Sequence, residues 1–106
     1  MEFDPQSRDL LIRTVYGEAG NQPFEGQTAV ANVALNRLRS GHFGPNMQAV
    51  LFAPNQFEPW ATRREELMAL DPNSPAYRNA ARAVDDVLSG GATDNTGGAT
   101  HFLNPE

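Results

Sequence analysis

The chain contains no cysteine and only two histidines. Without cysteine, neither a disulfide nor a thiolate metal site can form. No apolar run approaches the length needed to cross a bilayer, so we expect no insertion into a membrane. Stability must therefore come from packing within the 106 residues, which suffice for a single domain, residues 1–106, with one modest core.

Basic residues are also scarce. The chain has 8 Lys and Arg and 13 Asp and Glu, which gives a net charge of −5. Nonspecific binding of nucleic acid depends on clustered basic side chains that neutralise phosphates, so we expect no nucleic-acid partner. Arg63 and Arg64 are adjacent, but Glu65 and Glu66 follow them, which indicates a solvated helical surface. The first residues are acidic and include a proline, which is not the pattern of a signal peptide.

Several motifs that would carry a specific chemistry are missing. The glycine-rich stretch between Gly90 and Gly98 lacks the Gly-Lys-Ser/Thr ending of a phosphate-binding loop, so it is interpreted as a turn or lid. There is no HExxH pattern and no nucleophile elbow. A metal site would need His42, His101 and Glu18 to meet in the fold, and their wide separation does not predict this. We therefore expect no metal and no cofactor.

Caps and apolar periodicity predict a mainly α fold with little or no β structure, at most a short hairpin. Asp4 and Pro5 are a favourable cap and first-turn pair for a first helix that runs to about Tyr16 or Ala19. A second helix, from Pro23 to Leu38, is apolar around most of its circumference, which is typical of a buried central helix.

The polar strip of this second helix either meets water or lines a cleft; it contains Thr28, Asn32, Asn36 and Arg39. Further helices are predicted over residues 47–52, over residues 63–70, and from Ser74-Pro75 to Gly90. Residues 53–60 contain two prolines and are predicted to form a shaped loop.

Glu18 is a carboxylate on a helix face that should be apolar, since Leu11, Val15 and Glu18 follow one another at helical spacing. A buried carboxylate either finds a positive neighbour or keeps its proton with a raised pKa. A carboxyl that is protonated near neutral pH is what an acid catalyst needs. Because Glu18 stands just before Gly20, its side chain can alternatively swing to solvent or pair with an arginine.

The loop that contains Gln56, Phe57 and Trp60 combines an amide with aromatic rings, which suits the hydroxyls and C–H faces of a sugar. The alternative is that both rings close the core over the loop, since large aromatics are usually buried. His42 lies among glycines and is interpreted as an exposed loop residue. His101 has either a structural role or a contact with substrate.

Four stretches occur in a characteristic order: Arg13 to Ala19, Phe24 to Arg37, Asn55 to Phe57, and Gly98 to Phe102. Together they resemble the SleB/CwlJ cell-wall hydrolase family, and the resemblance covers most of the chain. It implies a compact, lysozyme-like helical fold related to lytic transglycosylases. It also implies that the substrate is bacterial peptidoglycan, including spore cortex.

The resemblance places the family's catalytic glutamate on Glu18. It implies that Gln56 and Phe57 line one wall of the sugar cleft and that Thr100 and His101 line another. Tyr16 reaches either the cleft or the core. The chain departs from the family after Phe102, where it has only Leu103 to Glu106 in place of further aromatic residues.

The implied reaction is cleavage of the bond between N-acetylmuramic acid and N-acetylglucosamine by a lytic transglycosylase, in which Glu18 acts alone. A hydrolase would need a second carboxylate, for which Glu25 and Glu58 are the candidates. Two rival hypotheses are a metal-dependent amidase, and a glycan-binding or virion structural module without activity. The expected place of action is the cell wall or periplasm, reached by phage release, by delivery within a larger phage or envelope assembly, or as part of a longer exported protein.

Overall fold

The computed structural model of the chain describes residues 4–42, 44–53 and 57–90. Helix α1 spans Pro5–Ala19. Asp4 caps it, because its side chain accepts a hydrogen bond of 2.7 Å from the backbone N–H of Ser7. Pro5 stands in the first turn, where its missing N–H costs no helical hydrogen bond. The predicted first helix is thus confirmed.

Helix α2 spans Phe24–Ser40, and Pro23 occupies its N-cap position. The helix ends at Gly41, whose φ of 73° lies in the left-handed region that glycine adopts without strain. The predicted end at Leu38 therefore falls two residues short of Ser40. Val30, Ala31 and Ala34 are fully buried, which confirms that α2 is a central helix.

Four shorter or peripheral helices follow: α3 (Met47–Phe52), α4 (Glu58–Thr62), α5 (Arg64–Ala69) and α6 (Pro75–Leu88). The predictions for α3, α5 and α6 are confirmed. The prediction that residues 53–60 form an irregular loop is wrong at its end, because α4 begins at Glu58. Pro59 stands in the first turn of α4, where a proline is compatible with a helix.

Helix α1 contacts each of the other five helices and organises the core. Leu11, Ile12 and Val15 are completely buried on it. Trp60 of α4 is also buried, and its indole N–H donates a hydrogen bond of 2.7 Å to the hydroxyl of Thr14. The second interpretation of Trp60, that it closes the core, is the one that the structure confirms.

Arg13 joins α1 to the carboxyl end of α5. Its Nη1 donates hydrogen bonds to the carbonyl oxygens of Leu67 at 2.7 Å and Leu70 at 2.9 Å. Its Nε donates to Asp9 at 3.0 Å, and the Tyr77 hydroxyl donates to the other oxygen of Asp9 at 2.6 Å. The bonds from Nη1 add to the weak backbone partnering of carbonyl groups at a helix end, and they hold α5 against α1.

Within the described residues the chain forms helices and turns but no strand. The compact, mainly α, lysozyme-like fold class is therefore confirmed. In this part of the chain, no helix has both the length and the hydropathy to cross a membrane.

Candidate active site

Glu18 lies in the last turn of α1, one residue before the helix ends. Its side chain is half-buried. The carboxyl end of a helix carries the negative end of its dipole, so this position disfavours an ionised carboxylate. Among the residues that the structure describes, no donor makes a hydrogen bond to the Glu18 carboxylate. The position at the helix end and the lack of a donor among these residues thus both favour the protonated form.

The pKa of Glu18 is raised above its usual range. Burial is the largest cause, because it removes the charged form from water, and the negative charge of Glu58 adds to the rise. Arg37 and Arg63 act in the opposite direction because their positive charges favour the ionised form. The net direction is the raised pKa expected for a buried Glu18. Its carboxyl holds its proton closer to neutral pH than an exposed glutamate does.

Arg37 approaches the site from α2. Only 4% of this residue is exposed, and its guanidinium lies over the ring of Phe57 with 4.7 Å between Cζ and the ring centroid. Burial lowers the pKa of Arg37, whereas the charge of Glu18 raises it. Arg37 therefore places a buried cation beside the carboxylate and against the residue that precedes α4.

Arg63 approaches from the junction between α4 and α5. Its Nη1 donates a hydrogen bond of 3.1 Å to the carbonyl oxygen of Gly17, the residue before Glu18. Its Nε donates to Glu66 at 2.7 Å, and a second, short bond joins Nη2 to the same carboxylate. The guanidinium is thus fixed at both ends. The prediction that residues 63–66 form a solvated surface is correct for their exposure, but it missed this contact with the site.

Gly17 allows α4 and α5 to approach this part of α1. A Cβ atom at position 17 would lie 2.9 Å from Cδ2 of Leu67 and 2.9 Å from Cβ of Pro59. Real Cβ atoms do not approach other atoms so closely, so the absence of a side chain is required here. As a result, the residue before Glu18 touches the residue after Glu58.

The two candidate second carboxylates occupy different places. Glu58 opens α4, is exposed, and acts on the pKa of Glu18. Glu25 lies in the first turn of α2, is exposed, and is not among the described groups that act on Glu18. The structure therefore associates Glu58, rather than Glu25, with the candidate acid.

The remaining predicted site residues have different outcomes. Phe57 is 3% exposed and belongs to the core cluster, so its ring contacts Arg37 from within the protein. Tyr16 is half-buried and packs against the same core. Gln56, Thr100 and His101 lie outside the described residues. The roles of all five in sugar binding stay predictions.

The polar strip of α2 is mostly internal. Thr28 and Asn32 are buried, Asn36 is half-buried, and Arg39 is exposed. The amide nitrogen of Asn32 is buried and makes no hydrogen bond with the described part of the chain. The first half of the strip therefore does not meet water. Of the two predicted alternatives, contact with water applies at Arg39, and a role of the strip in lining a cleft stays a prediction.

Arg37 and Arg63 are the site residues that the sequence interpretation missed. Arg37 carried a detectable signal, because it lies on the same side of a buried helix as Val30 and Val33. That is the same signal, a charge among apolar neighbours, that singled out Glu18. Arg63 carried none, since its position beside Glu18 depends on how α4 and α5 pack on α1.

No three of the histidines, aspartates and glutamates in the described ranges lie together as metal ligands. His42 is exposed in the turn that follows α2, as predicted. His101 falls outside the described residues, so the three-residue metal hypothesis is not tested.

The chain belongs to the Cell Wall Hydrolase family, whose model matches residues 21–106. The SleB/CwlJ resemblance is thereby confirmed. The matched span begins after Glu18, so the match does not itself test the role of this carboxylate.

Curated relatives named spore cortex-lytic enzyme are similar to most of this chain. The protein of Halalkalibacterium halodurans is 41% identical over 97 residues, which are 92% of this chain and 27% of the relative. For Oceanobacillus iheyensis the identity is 39%, over 92% of this chain and 32% of the relative. For Bacillus subtilis it is 37%, over 92% of this chain and 29% of the relative. The chain thus spans about a third or less of these relatives, and no solved structure matches it.

Proposed function

We propose that this chain cleaves the glycan strands of peptidoglycan, with Glu18 as the acid. The observation that carries the proposal is the half-buried carboxyl of Glu18, whose pKa is raised by burial and by Glu58 at the edge of an arginine-lined site. Membership of the Cell Wall Hydrolase family and similarity to spore cortex-lytic enzymes support this substrate class.

The proposed reaction is that of a lytic transglycosylase. The protonated Glu18 donates its proton to the glycosidic oxygen between N-acetylmuramic acid and N-acetylglucosamine, and the C1–O bond breaks as an oxocarbenium-like state develops. The resulting carboxylate then accepts the proton of the muramic 6-hydroxyl. That oxygen bonds to C1, which gives a 1,6-anhydro product and restores the protonated acid. One carboxyl serves both steps.

The second candidate is hydrolysis by two carboxylates, which the presence of Glu58 beside Glu18 favours. In that reaction water adds to C1 and the product has a reducing end. The position of Glu58 at the exposed start of α4 is compatible with either a reacting group or an electrostatic neighbour. The products distinguish the two reactions.

The test is mass spectrometry of purified peptidoglycan after digestion by the wild-type chain and by Glu18→Gln. We expect anhydro-muramic ends from the wild type and a loss of about 10²–10⁴-fold in rate for the variant, which is the usual contribution of general acid–base catalysis. Glu65→Gln, an exposed glutamate of α5, is the control for the charge change.

Reducing ends in place of anhydro ends would replace the lytic reaction by hydrolysis. Free amino-terminal alanine with intact glycan would indicate an amidase. Unchanged clearing by Glu18→Gln would sink the catalytic role of this residue and leave a glycan-binding module, within a phage or envelope assembly, as the better description.

A further inference from the structure

We infer that the junction between α4 and α5 is an electrostatic control element for Glu18, in which Glu58 and Arg63 are positioning residues of opposite charge and neither reacts with the glycan. This inference rests on the proposed function, because it takes Glu18 as the acid. It assigns roles to two exposed residues. Arg63 contacts α1 directly, and Glu58 precedes Pro59, which lies against α1.

The backbone geometry places this junction against Glu18. Pro59 lies so close to Gly17 that a Cβ on the glycine would be 2.9 Å from Cβ of the proline. Glu58 precedes Pro59 and Glu18 follows Gly17, so the two residues flank a tight contact between helices. Because that contact leaves no space for a side chain at position 17, it fixes how closely the backbone that carries Glu58 approaches the backbone that carries Glu18.

Arg63 is fixed by its own contacts, independently of Glu58. One end of its guanidinium donates to the Gly17 carbonyl oxygen at 3.1 Å, and the other end binds Glu66. An arginine held at two points presents its charge at a defined place, whereas a free exposed arginine samples many rotamers. The cation therefore stays beside the last turn of α1.

The charged groups that act on Glu18 come from three directions. Arg37 acts from α2, Glu58 from the start of α4, and Arg63 from the end of α4. Arg37 is buried and fixed against Phe57, so its influence is built into the core. Glu58 and Arg63 are exposed, so their influence depends on the ionic strength of the medium.

A carboxyl that acts first as acid and then as base requires such a balance. If positive neighbours dominated, Glu18 would lose its proton at neutral pH and could not start the reaction. If negative neighbours dominated, the carboxyl would hold its proton too strongly to ionise easily in the first step. General acid–base groups work best when their pKa lies near the operating pH, and opposing charges keep Glu18 in that range.

The experiment measures the clearing rate of purified peptidoglycan at limiting substrate as a function of pH, at low salt. The alkaline limb of this profile reports the loss of the Glu18 proton. Glu58→Gln removes a negative neighbour, so we expect the limb to move to lower pH by about 0.2–0.7 units. Arg63→Gln removes a positive neighbour and should move it to higher pH by a similar amount.

Three further variants make the outcome specific to charge at this junction. Glu65→Gln and Arg78→Gln change the net charge equally at exposed positions of α5 and α6, and we expect them to leave the limb unmoved. Arg63→Lys keeps the charge and should keep the wild-type limb. The double variant Glu58→Gln with Arg63→Gln should return the limb toward the wild type, and added salt should shrink both single shifts.

Two outcomes would overturn the inference. A loss of 100-fold or more at every pH in Glu58→Gln would make Glu58 a reacting carboxylate. The inference also fails if the alkaline limb stays at the same pH in both Glu58→Gln and Arg63→Gln, or if it moves as far in Glu65→Gln and Arg78→Gln. Neither outcome removes Glu18 as the acid, because that role is tested separately by the activity of Glu18→Gln. A reacting Glu58 would favour hydrolysis over the lytic reaction, and the product ends distinguish those two reactions independently of the pH profile.

Discussion

Arg13 is buried and Glu18 is half-buried on the same helix, and the surroundings of the two side chains differ. Arg13 donates hydrogen bonds to carbonyl oxygens of Leu67 and Leu70 and pairs with Asp9. Glu18 accepts no hydrogen bond from the described residues and is surrounded instead by charges of both signs. A buried charge with matched partners is costly to deprive of one of them, whereas a carboxyl with neighbours of both signs has a pKa that small changes in those neighbours can move.

The groups around Arg13 show the same contrast in their acidity. Burial acts to raise the pKa of Asp9, but the hydrogen bonds from Arg13 and Tyr77 outweigh it, and the pKa falls below its usual value. Burial and the bond to Asp9 raise the pKa of Tyr77 to about 12. Asp9 is thus held ionised and Tyr77 is held protonated over the whole range in which Glu18 is expected to titrate.

The largest effect is expected at Arg13. Arg13→Met keeps a long apolar stem but removes the Arg13 donor from the carbonyl oxygens of Leu67 and Leu70 and from Asp9, which then accepts only from Tyr77. We expect the free energy of unfolding to fall by about 3–5 kcal/mol, as for other broken buried pairs, measured by urea denaturation. The pH profile of activity should not move in the fraction that folds.

The control for this change is Arg8→Met. Arg8 forms an ion pair of 2.8 Å with Asp85, but the two side chains are 39% and 52% exposed. Such surface pairs contribute at most about 1 kcal/mol. If Arg13→Met costs no more than Arg8→Met, the Arg13 network is not the structural anchor that its contacts indicate.

An intermediate effect is expected at Gly17. In most helices Gly→Ala stabilises by about 1 kcal/mol, but here the added Cβ would displace Pro59 and Leu67. We expect a net loss of about 1–3 kcal/mol in the free energy of unfolding, together with slower clearing, since the junction beside Glu18 must shift.

Gly26→Ala on α2 is the matched helical control. The three atoms nearest to its added Cβ all belong to the Gln22 side chain, which can move aside. This variant should be neutral or slightly stabilised. Equal responses of Gly17→Ala and Gly26→Ala would show that the close approach at Gly17 has no special importance.

The smallest effect is expected in the stability of Glu18→Gln. A carboxyl whose pKa is raised by folding contributes stability below its unfolded pKa and loses it as the pH rises through its folded pKa. Glutamine does not titrate. The variant should therefore match the wild type in acid and exceed its Tm by roughly a few degrees above the pKa of Glu18.

Differential scanning calorimetry across pH measures this difference. A variant that is less stable than the wild type at alkaline pH would mean that Glu18 is paired as well as Arg13 is, which would remove the contrast between the two sites. Equal stability at every pH would show that Glu18 has its ordinary acidity.

Local sequence signals were enough for the longer helices. The caps at Asp4 and Ser74 and the apolar faces predicted α1 and α6 because hydrogen bonds and periodicity act over a few residues. The same approach missed α4, since two prolines indicate a loop unless one of them stands in a first helical turn, as Pro59 does. Whether Pro59 stands in a loop or in a first helical turn depends on the packing of α4 against α1, which local sequence does not show.

The candidate acid could also be predicted, because a carboxylate on an apolar helix face is visible in the sequence. Its neighbours mostly could not. Arg63 meets Gly17 across a sequence separation of 46 residues, and no periodicity encodes that meeting. For Phe57 the sequence left open a cleft wall or a place in the core; its side chain is buried against Arg37, and its role in sugar binding stays a prediction. Tertiary packing, rather than local pattern, decides which side of an aromatic residue is covered.

Trp60 is the one tryptophan of the chain, and its buried indole is tied to Thr14 of α1. The tryptophan fluorescence of the protein, excited selectively at wavelengths that tyrosine does not absorb, therefore has a single source on the helix that carries Glu58. Any separation of α4 from α1 exposes this indole to water and shifts its emission to longer wavelength. The molecule thus contains its own optical reporter for the junction beside Glu18, readable without a label while peptidoglycan is present.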